Sequence, residues 1–347
     1  MAPDLRRDQR LRPKEAVLIA CITVLLGLLV IEAALRLGVI RNEYRAHVAI
    51  EGERRHPRQR LLILGDSFVY KGGELSNALV QGLAPHGFQV LNLARSGTGP
   101  LHYLYELEDI GLGFRPDVVM VSYYVGNDLT DVQYRPHFRI ERAGRGAKWK
   151  RAARLLFFYH FVTEFWDRAM PRYDWEAMRR IGIDEELIAL AKENRRVNPG
   201  LLRAGVERPN YLLDNLLIDT DENRAAWDTV TRVLDRILQE SRWVGAELVM
   251  VIMPQTLQVS DDHVAFYQRM KLRLDDRVRT SDRPQALLRD FCQARRIRCL
   301  DLLPVFRRRH DRLYLELDDH LNRGGNTVAA DAITQFLLGT TPANFVN

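Results

Sequence analysis

Five short apolar runs, separated by stretches with helical periodicity, constrain the fold of this chain more than any other feature. The runs lie at residues 60–65, 88–93, 118–124, 248–253 and 297–302, and helical patterns occupy residues 74–85, 100–112, 222–243 and 323–338. Largely apolar runs of this length are typical of buried strands, and their alternation with helices indicates repeated βαβ units. The sequence therefore predicts an α/β fold with a parallel five-stranded sheet and helices on both faces.

Residues 135–221 interrupt this alternation between the third and fourth strands, and we predict a mostly helical insertion there. Segment 135–154 has eight basic residues against Glu141 alone, and it leads into the apolar and aromatic cluster Leu155–Tyr159. Two interpretations fit this composition: a surface that contacts an anionic membrane or polymer, or a solvated helix that packs one face on the core.

An apolar segment near the N-terminus predicts where the protein resides. Residues 16–31 carry no charge, residues 16–35 carry only Glu32, and five basic side chains precede them. A helix of 20 residues is about 30 Å long, which matches the hydrocarbon core of a bilayer, and a basic flank stays in the cytoplasm. We expect a cytoplasmic tail at residues 1–15, a single-pass anchor in the inner (cytoplasmic) membrane at 16–36 and a linker at 37–59. The rest of the chain is then periplasmic or otherwise extracytoplasmic.

Three alternatives for this segment are weaker. A cleaved signal peptide has a similar beginning, but no clean small-x-small cleavage site follows Ile31. The residues before Cys21 are similar to a lipobox, although the apolar run continues beyond that cysteine. A buried core helix is the third alternative, and the basic flank and terminal position favour the anchor over it.

Composition excludes several classes of protein. A net charge of +6 over 347 residues is too small a surplus to indicate nucleic-acid binding. Three cysteines exclude a disulfide-built scaffold and a four-cysteine zinc site, and the histidines lack metal-ligand spacing, so we expect no metal and no cofactor. Cys292 and Cys299 form either a disulfide in an oxidising compartment or two buried thiols, and both interpretations fit.

Residues able to perform acyl transfer follow the predicted strands. They are Ser67 after the first, Gly97 after the second, Asn127 after the third, and the pair Asp318 and His320 late in the chain. Because the carboxyl ends of parallel strands meet at one edge of the sheet, these residues are expected to converge. Together they supply a nucleophile, oxyanion donors, a base and a carboxylate that orients the base.

These motifs resemble the SGNH (GDSL-like) hydrolase superfamily over roughly residues 60–135 and 245–338. The first block matches Gly65–Phe68, the second Gly97, the third Gly126–Asp128 and the last His320–Gly325. The resemblance implies a flavodoxin-like three-layer α/β/α sandwich over residues 60–340. It also implies the site roles: Ser67 as nucleophile, His320 as base, and an oxyanion hole formed by the N–H groups of Ser67 and Gly97 with the amide of Asn127.

One position departs from the family pattern. The orienting aspartate usually lies three residues before the histidine, where this chain has Leu317. Asp318, two residues before, is the assigned acid, as in the Asp-x-His arrangement of some relatives. Asp319 is the alternative, and a Ser–His dyad without an acid is the third interpretation.

The resemblance implies an esterase or deacylase that acts on O-acyl esters outside the cytoplasm, with an acylated small molecule or an envelope or exopolysaccharide glycan as substrate. One alternative is an O-acyltransferase on the same substrates. A lipase or thioesterase is another, with the cluster Leu155–Tyr159 as a lid. The non-catalytic alternative, which Leu317 favours, is a glycan-binding or assembly protein of an envelope polysaccharide machinery.

Overall fold

The computed structural model describes residues 13–40, 43–52, 57–133, 157–162, 173–193 and 197–339. These residues form two compact units, one made of the described residues up to Ala46 together with 157–162, and the other made of the remainder. Most of the predicted tail and the basic segment 135–154 lie outside the described residues. The domain boundaries therefore stay a prediction.

The first unit contains helix α1, Pro13–Leu37, and most of helix α2, Glu43–His47. From Lys14 to Leu37, α1 is long and apolar enough to cross a membrane, and its side chains there are largely exposed. An apolar helix near the N-terminus is thus present, as the sequence predicts.

The second unit is built on a six-stranded sheet in the order β1-β3-β2-β4-β5-β6. The strands are β1 Ile50–Gly52, β2 Gln59–Leu64, β3 Phe88–Asn92, β4 Val118–Tyr124, β5 Glu247–Met253 and β6 Arg298–Asp301. Strands β2 to β6 pair in parallel, whereas β1 pairs antiparallel with β3 at the edge. The prediction of five strands was therefore wrong by one. Strand β1 lies in the predicted linker, and its three residues are too short to produce a strand pattern in the sequence.

Fourteen further helices are described in this unit. They are α3 Glu74–Leu83, α4 Pro100–Asp109, α5 Asp128–Gln133, α6 Trp175–Arg180, α7 Glu185–Lys192, α8 Pro199–Glu207, α9 Tyr211–Leu217, α10 Asp221–Trp243, α11 Thr256–Val259, α12 Val264–Arg269, α13 Arg277–Thr280, α14 Arg283–Arg295, α15 Leu303–Arg307 and α16 Arg323–Leu337. Helices α6 to α9 belong to the predicted insertion, whose described part is mostly helical as expected.

Alternating side chains of the central strand β2 divide the core into two layers, since successive residues of a strand point to opposite faces. Leu61 and Ile63 pack with the buried residues of α3 and α16. Leu62 and Leu64 pack on the other face, with α4 and α10. Helices therefore cover both faces, and the predicted α/β/α class is confirmed.

Cys292 and Cys299 lie at the end of α14 and in β6, and both are free thiols. The Cys292 sulfur is buried 3.8 Å from the sulfur of Met250. A hydrogen bond with Cys292, together with burial, raises the pKa of the Cys299 thiol well above its ordinary value. Both cysteines are therefore thiols in the structure and do not form a disulfide.

Candidate active site

Ser67 follows the carboxyl end of β2 and lies beside His320, 253 residues further along the chain. The Ser67 Oγ and His320 Nε2 atoms are 2.7 Å apart, and both residues are only partly buried. Phe68 packs next to them, with its ring centroid 5.1 Å from the imidazole and 4.3 Å from the ring of Tyr124. The hydroxyl and the imidazole are therefore within hydrogen-bond distance of each other. They lie beside the ring of Phe68, and both are partly exposed to solvent.

Hydrogen bonds fix the loop that carries His320 ahead of α16. The Leu315 N–H donates to the His320 carbonyl at 2.9 Å. Nε2 of buried His263 lies 2.6 Å from the Leu315 carbonyl oxygen and 3.1 Å from that of Asp318. Burial lowers the pKa of His263, so a neutral ring donates to these carbonyls. At the far end, the Asn322 side chain accepts an N–H from the first turn of α16.

Two carboxylates flank Nδ1 of His320, and only one of them bonds it. Asp318 Oδ1 lies 2.6 Å from Nδ1, whereas Asp319 Oδ1 lies 3.6 Å away. Asp319 is buried and accepts from Tyr124 Oη at 3.0 Å and from Asn198 Nδ2 at 3.4 Å. Asp318 therefore occupies the orienting position, and Asp319 lies behind it.

The carboxylates determine the charge of the imidazole. Burial alone would disfavour the His320 cation, but the hydrogen bond with Asp318 and the charges of Asp319 and Asp318 outweigh it and raise the pKa of His320 to about 9. Burial opposes ionisation of Asp318, yet its hydrogen bond with His320 keeps its pKa below the ordinary value. Burial and the adjacent Asp318 charge raise the pKa of Asp319 to about 6. At neutral pH the free site therefore holds an imidazolium paired with an ionised Asp318.

Asn127 follows β4, and a buried carboxylate holds its side chain. Its Nδ2 donates to Asp66 Oδ2 at 3.1 Å, while Asp66 Oδ1 accepts the Phe68 N–H at 3.0 Å. An amide nitrogen carries two hydrogens, so one is left for a ligand. Residue 126 has to be glycine, because a Cβ there would lie 2.3 Å from Cζ of Tyr124. Asp66, the residue before Ser67, thus positions the side-chain amide of Asn127.

Gly97 lies in the turn after β3, at the same edge of the sheet. Its φ of +68° favours glycine, and the residue is exposed. The turn is tied to the end of β2, because the Arg95 N–H donates to the Gly65 carbonyl at 3.1 Å and Thr98 Oγ1 donates to the Arg95 carbonyl at 2.7 Å. All the predicted site residues therefore lie at the carboxyl ends of neighbouring strands or in the loop before α16.

Sequence reasoning missed four residues that hold this site together. Asp66 bonds Asn127, Tyr124 and Asn198 bond Asp319, and buried Asp128 accepts from Tyr103 Oη at 2.8 Å and from the Tyr124 N–H at 3.1 Å. Asp66 and Asp128 lie inside the quoted motifs, so their position was a usable signal. Asn198 is marked only by the following proline, which is typical of a helix start.

Asp318, Asp319 and His320 also place ligand atoms within 4.8 Å of one another. Both imidazole nitrogens are already engaged, one with Asp318 and the other with Ser67. These contacts are those of a Ser–His–Asp triad rather than of a metal site.

A comparison with solved structures finds chains that align with most of this one. An acetylxylan esterase, Axe2 from Geobacillus stearothermophilus, is 14% identical, and the match covers 81% of this chain and 95% of that chain with a TM-score of 0.43. TesA is 12% identical, with 81% and 99% covered and a TM-score of 0.40. A comparison with curated proteins finds no match.

A protein-family model described as "SGNH hydrolase-like domain, acetyltransferase AlgX" matches residues 213–345. This range contains β5, β6 and the loop with Asp318 and His320, while Ser67 and Asn127 lie before it. Residues 213–345 therefore match an SGNH hydrolase-like domain, and the resemblance to the SGNH hydrolase superfamily is confirmed.

Proposed function

We propose that the chain is a serine esterase that removes O-acyl groups from glycans outside the cytoplasm. The observation that supports this most directly is the 2.7 Å contact between Ser67 Oγ and His320 Nε2, with Asp318 bonded to the opposite nitrogen at 2.6 Å. A hydroxyl becomes an effective nucleophile when an adjacent base removes its proton as it attacks. The described geometry has the nucleophile, the base and the orienting acid in that order.

In the proposed first step, neutral His320 takes the proton from Ser67 while Oγ attacks the ester carbonyl. Asp318 accepts a hydrogen bond from the Nδ1–H group, which keeps Nε2 free to act as the base and stabilises the resulting imidazolium. The imidazolium then returns its proton to the sugar oxygen as the ester bond breaks, leaving an acyl-enzyme on Ser67. Water, deprotonated by His320, releases the acid and restores the serine.

The tetrahedral intermediate carries a negative oxygen that needs donors. We assign these to the amide of Asn127 and the N–H groups of Ser67 and Gly97. The bond from Asn127 to Asp66 supports this assignment, because it fixes the amide before substrate arrives. Losing one such donor typically costs about 10²–10³ in rate.

The location of the protein is inferred from its N-terminal helix. Helix α1 has the length and composition of a membrane span, so we place residues 16–36 in the inner membrane with the N-terminus cytoplasmic and the hydrolase periplasmic or otherwise extracytoplasmic. The glycan substrate is inferred from this location and from the matched family. We propose no metal or cofactor, because the steps above need only the residues of the chain.

A second candidate is an O-acyltransferase, which the word acetyltransferase in the description of the matched family favours. The acyl-enzyme would form in the same way, and a sugar hydroxyl would replace water as its acceptor. The envelope polysaccharide machinery is the expected setting for such a transfer. Incubation with an acyl donor and added oligosaccharide separates the two: an acylated sugar indicates transfer, whereas free acid alone indicates hydrolysis.

The direct test is Ser67→Ala in the full chain, assayed on p-nitrophenyl acetate and with a fluorophosphonate probe. We expect hydrolysis to fall to the background rate and labelling to disappear. Ser260→Ala is the matched control, because that hydroxyl accepts only a local N–H from Asp262 among the described contacts. A Ser67→Ala protein that hydrolyses the ester as fast as the wild type would reject the nucleophile. A wild-type chain that neither hydrolyses nor labels would favour the non-catalytic alternative.

A further inference from the structure

Glu32 is the single charged residue in the apolar stretch 16–35, and the structure gives its carboxylate three donors. Oε1 accepts from Arg36 Nε at 2.7 Å and from the Phe157 N–H at 3.1 Å, and Oε2 accepts from the Phe158 N–H at 2.9 Å. A carboxylate in an apolar setting is costly unless it is hydrogen-bonded. Glu32 therefore joins the last turns of α1 to residues 157–162, which come 125 positions later.

Aromatic contacts reinforce this junction within the first unit. The buried ring of Tyr44, in α2, stacks on His160 with centroids 3.6 Å apart and meets the edge of Phe157 at 5.0 Å. The Arg36 guanidinium lies 4.9 Å from the Phe157 centroid. Residues 157–162 are thus held by side chains of both α1 and α2.

The same short segment also presents aromatic side chains to the outside. Tyr159 is 40% exposed and Phe161 is 37% exposed. Leu37, the last residue of α1, is 73% exposed, and Val39 just after it is 79% exposed. Exposed aromatic side chains on a segment bonded to the end of an apolar helix suggest a surface that does not face only water. They are typical of the headgroup layer of a bilayer, where aromatic rings and long basic side chains concentrate.

The position of Glu32 along α1 agrees with that environment. A span of about 30 Å that begins at residue 16 ends near residue 35, which puts Glu32 and Arg36 at the far boundary of the hydrocarbon. The segment bonded to Glu32 would then lie at the level of the lipid headgroups. This argument rests on the proposed membrane anchor and not on the proposed chemistry.

We propose that residues 157–162 form a second membrane contact, which Glu32 and Tyr44 hold in the headgroup layer on the far side of the bilayer that α1 crosses. The partner is the lipid interface itself, and Tyr159 and Phe161 are the side chains that enter it. The predicted insertion thereby binds the membrane independently of what the hydrolase site does.

The test places a fluorophore at the proposed contact in the full-length protein. Tyr159→Cys, in a Cys21→Ser background, is labelled with an environment-sensitive maleimide and reconstituted into nanodiscs of phosphatidylethanolamine and phosphatidylglycerol. We expect a blue-shifted emission and strong quenching by lipids that carry a nitroxide near the headgroup. The same labelled protein in nanodiscs without nitroxide lipids is the control and should not be quenched. The background without an added cysteine corrects for Cys292 and Cys299.

A second variant tests the hydrogen bonds between Glu32 and residues 157–162. Glu32→Leu removes the acceptor of both N–H groups and should abolish quenching at position 159 while the protein stays in the nanodisc. A label at position 159 that is neither blue-shifted nor quenched, in a protein that remains in the nanodisc, would overturn the proposal. A protein that leaves the nanodisc would overturn the anchor as well. Adding Ser67→Ala should leave the quenching unchanged, so a failed enzymatic proposal cannot be mistaken for either result.

Discussion

Replacing each of the two adjacent carboxylates in turn tests how the imidazole is oriented. The variants are Asp318→Asn and Asp319→Asn, which preserve shape and remove charge. Asp318 lies 2.6 Å from Nδ1 of His320, and Asp319 lies 3.6 Å from it. A separation of 2.6 Å is a charge-assisted hydrogen bond, whereas 3.6 Å is not a hydrogen bond. The two substitutions should therefore have very different effects.

Asp318→Asn should lower kcat by about 10⁴, the effect seen when an asparagine replaces the acid of a serine-protease triad. The amide can donate to Nδ1, which stabilises the tautomer with its proton on Nε2, and that nitrogen then cannot accept the proton of Ser67. Asp319→Asn breaks no bond to His320, and its oxygen still accepts from Tyr124. We expect a loss within about tenfold, or about 1.4 kcal/mol in the activation barrier.

The assay is kcat and KM on p-nitrophenyl acetate, with the midpoint of thermal unfolding as the control for folding. A large loss in Asp319→Asn with a near-normal Asp318→Asn would assign the orienting role to Asp319 and refute the distance argument. Two variants that both stay active would indicate a Ser–His dyad. Asp319→Asn should also lower the pKa of His320, because the charge of Asp319 is among the causes that raise it.

Two further predictions concern the base and the oxyanion. Burial disfavours the His320 cation, but Asp318 and Asp319 outweigh this effect and raise the pKa of His320 to about 9. The wild-type kcat/KM should therefore rise with pH as the imidazole loses its proton. A profile that is flat between about pH 7 and pH 9 would contradict this. Asn127→Ala should lower kcat by about 10²–10³ with a small change in KM, whereas Asn77→Ala, which loses an exposed bond to the Gly72 carbonyl, should not. Equal kinetics in the two alanine variants would remove Asn127 from the oxyanion site.

The buried strands could be predicted from sequence because burial on both faces leaves a continuous apolar run. The third predicted strand, 118–124, coincides with β4, and all seven of its residues are buried. Strand β1 gave no such signal, since an edge strand needs a partner on one side only and its burial pattern is mixed. The sequence therefore could not predict β1, because this strand depends on its pairing with β3 and not on a pattern in its own residues.

The convergence of Ser67 and His320 could also be predicted, because parallel topology brings strand ends to one edge. The choice between Asp318 and Asp319 could not, since adjacent residues in a loop are both within reach of the same imidazole. Contacts from elsewhere decide it: Tyr124 bonds the Asp319 carboxylate, and His263 holds the Asp318 carbonyl. The spacing of residues within a motif does not predict contacts with residues outside it, such as Tyr124 and His263.

The helices of the insertion contribute more to the site than the four motifs suggest. Asn198, which caps α8, reaches Asp319 beside the base. Asn215, in α9, accepts from the Thr130 N–H at 3.2 Å and donates to Thr130 Oγ1 at 3.1 Å, and Thr130 Oγ1 in turn donates to the Asn127 carbonyl at 2.9 Å. The Asp319 carboxylate and the main chain of Asn127 are thus held by residues outside the motifs. Because the geometry of a triad tolerates little displacement, changes in these helices should alter catalysis without touching a reacting group.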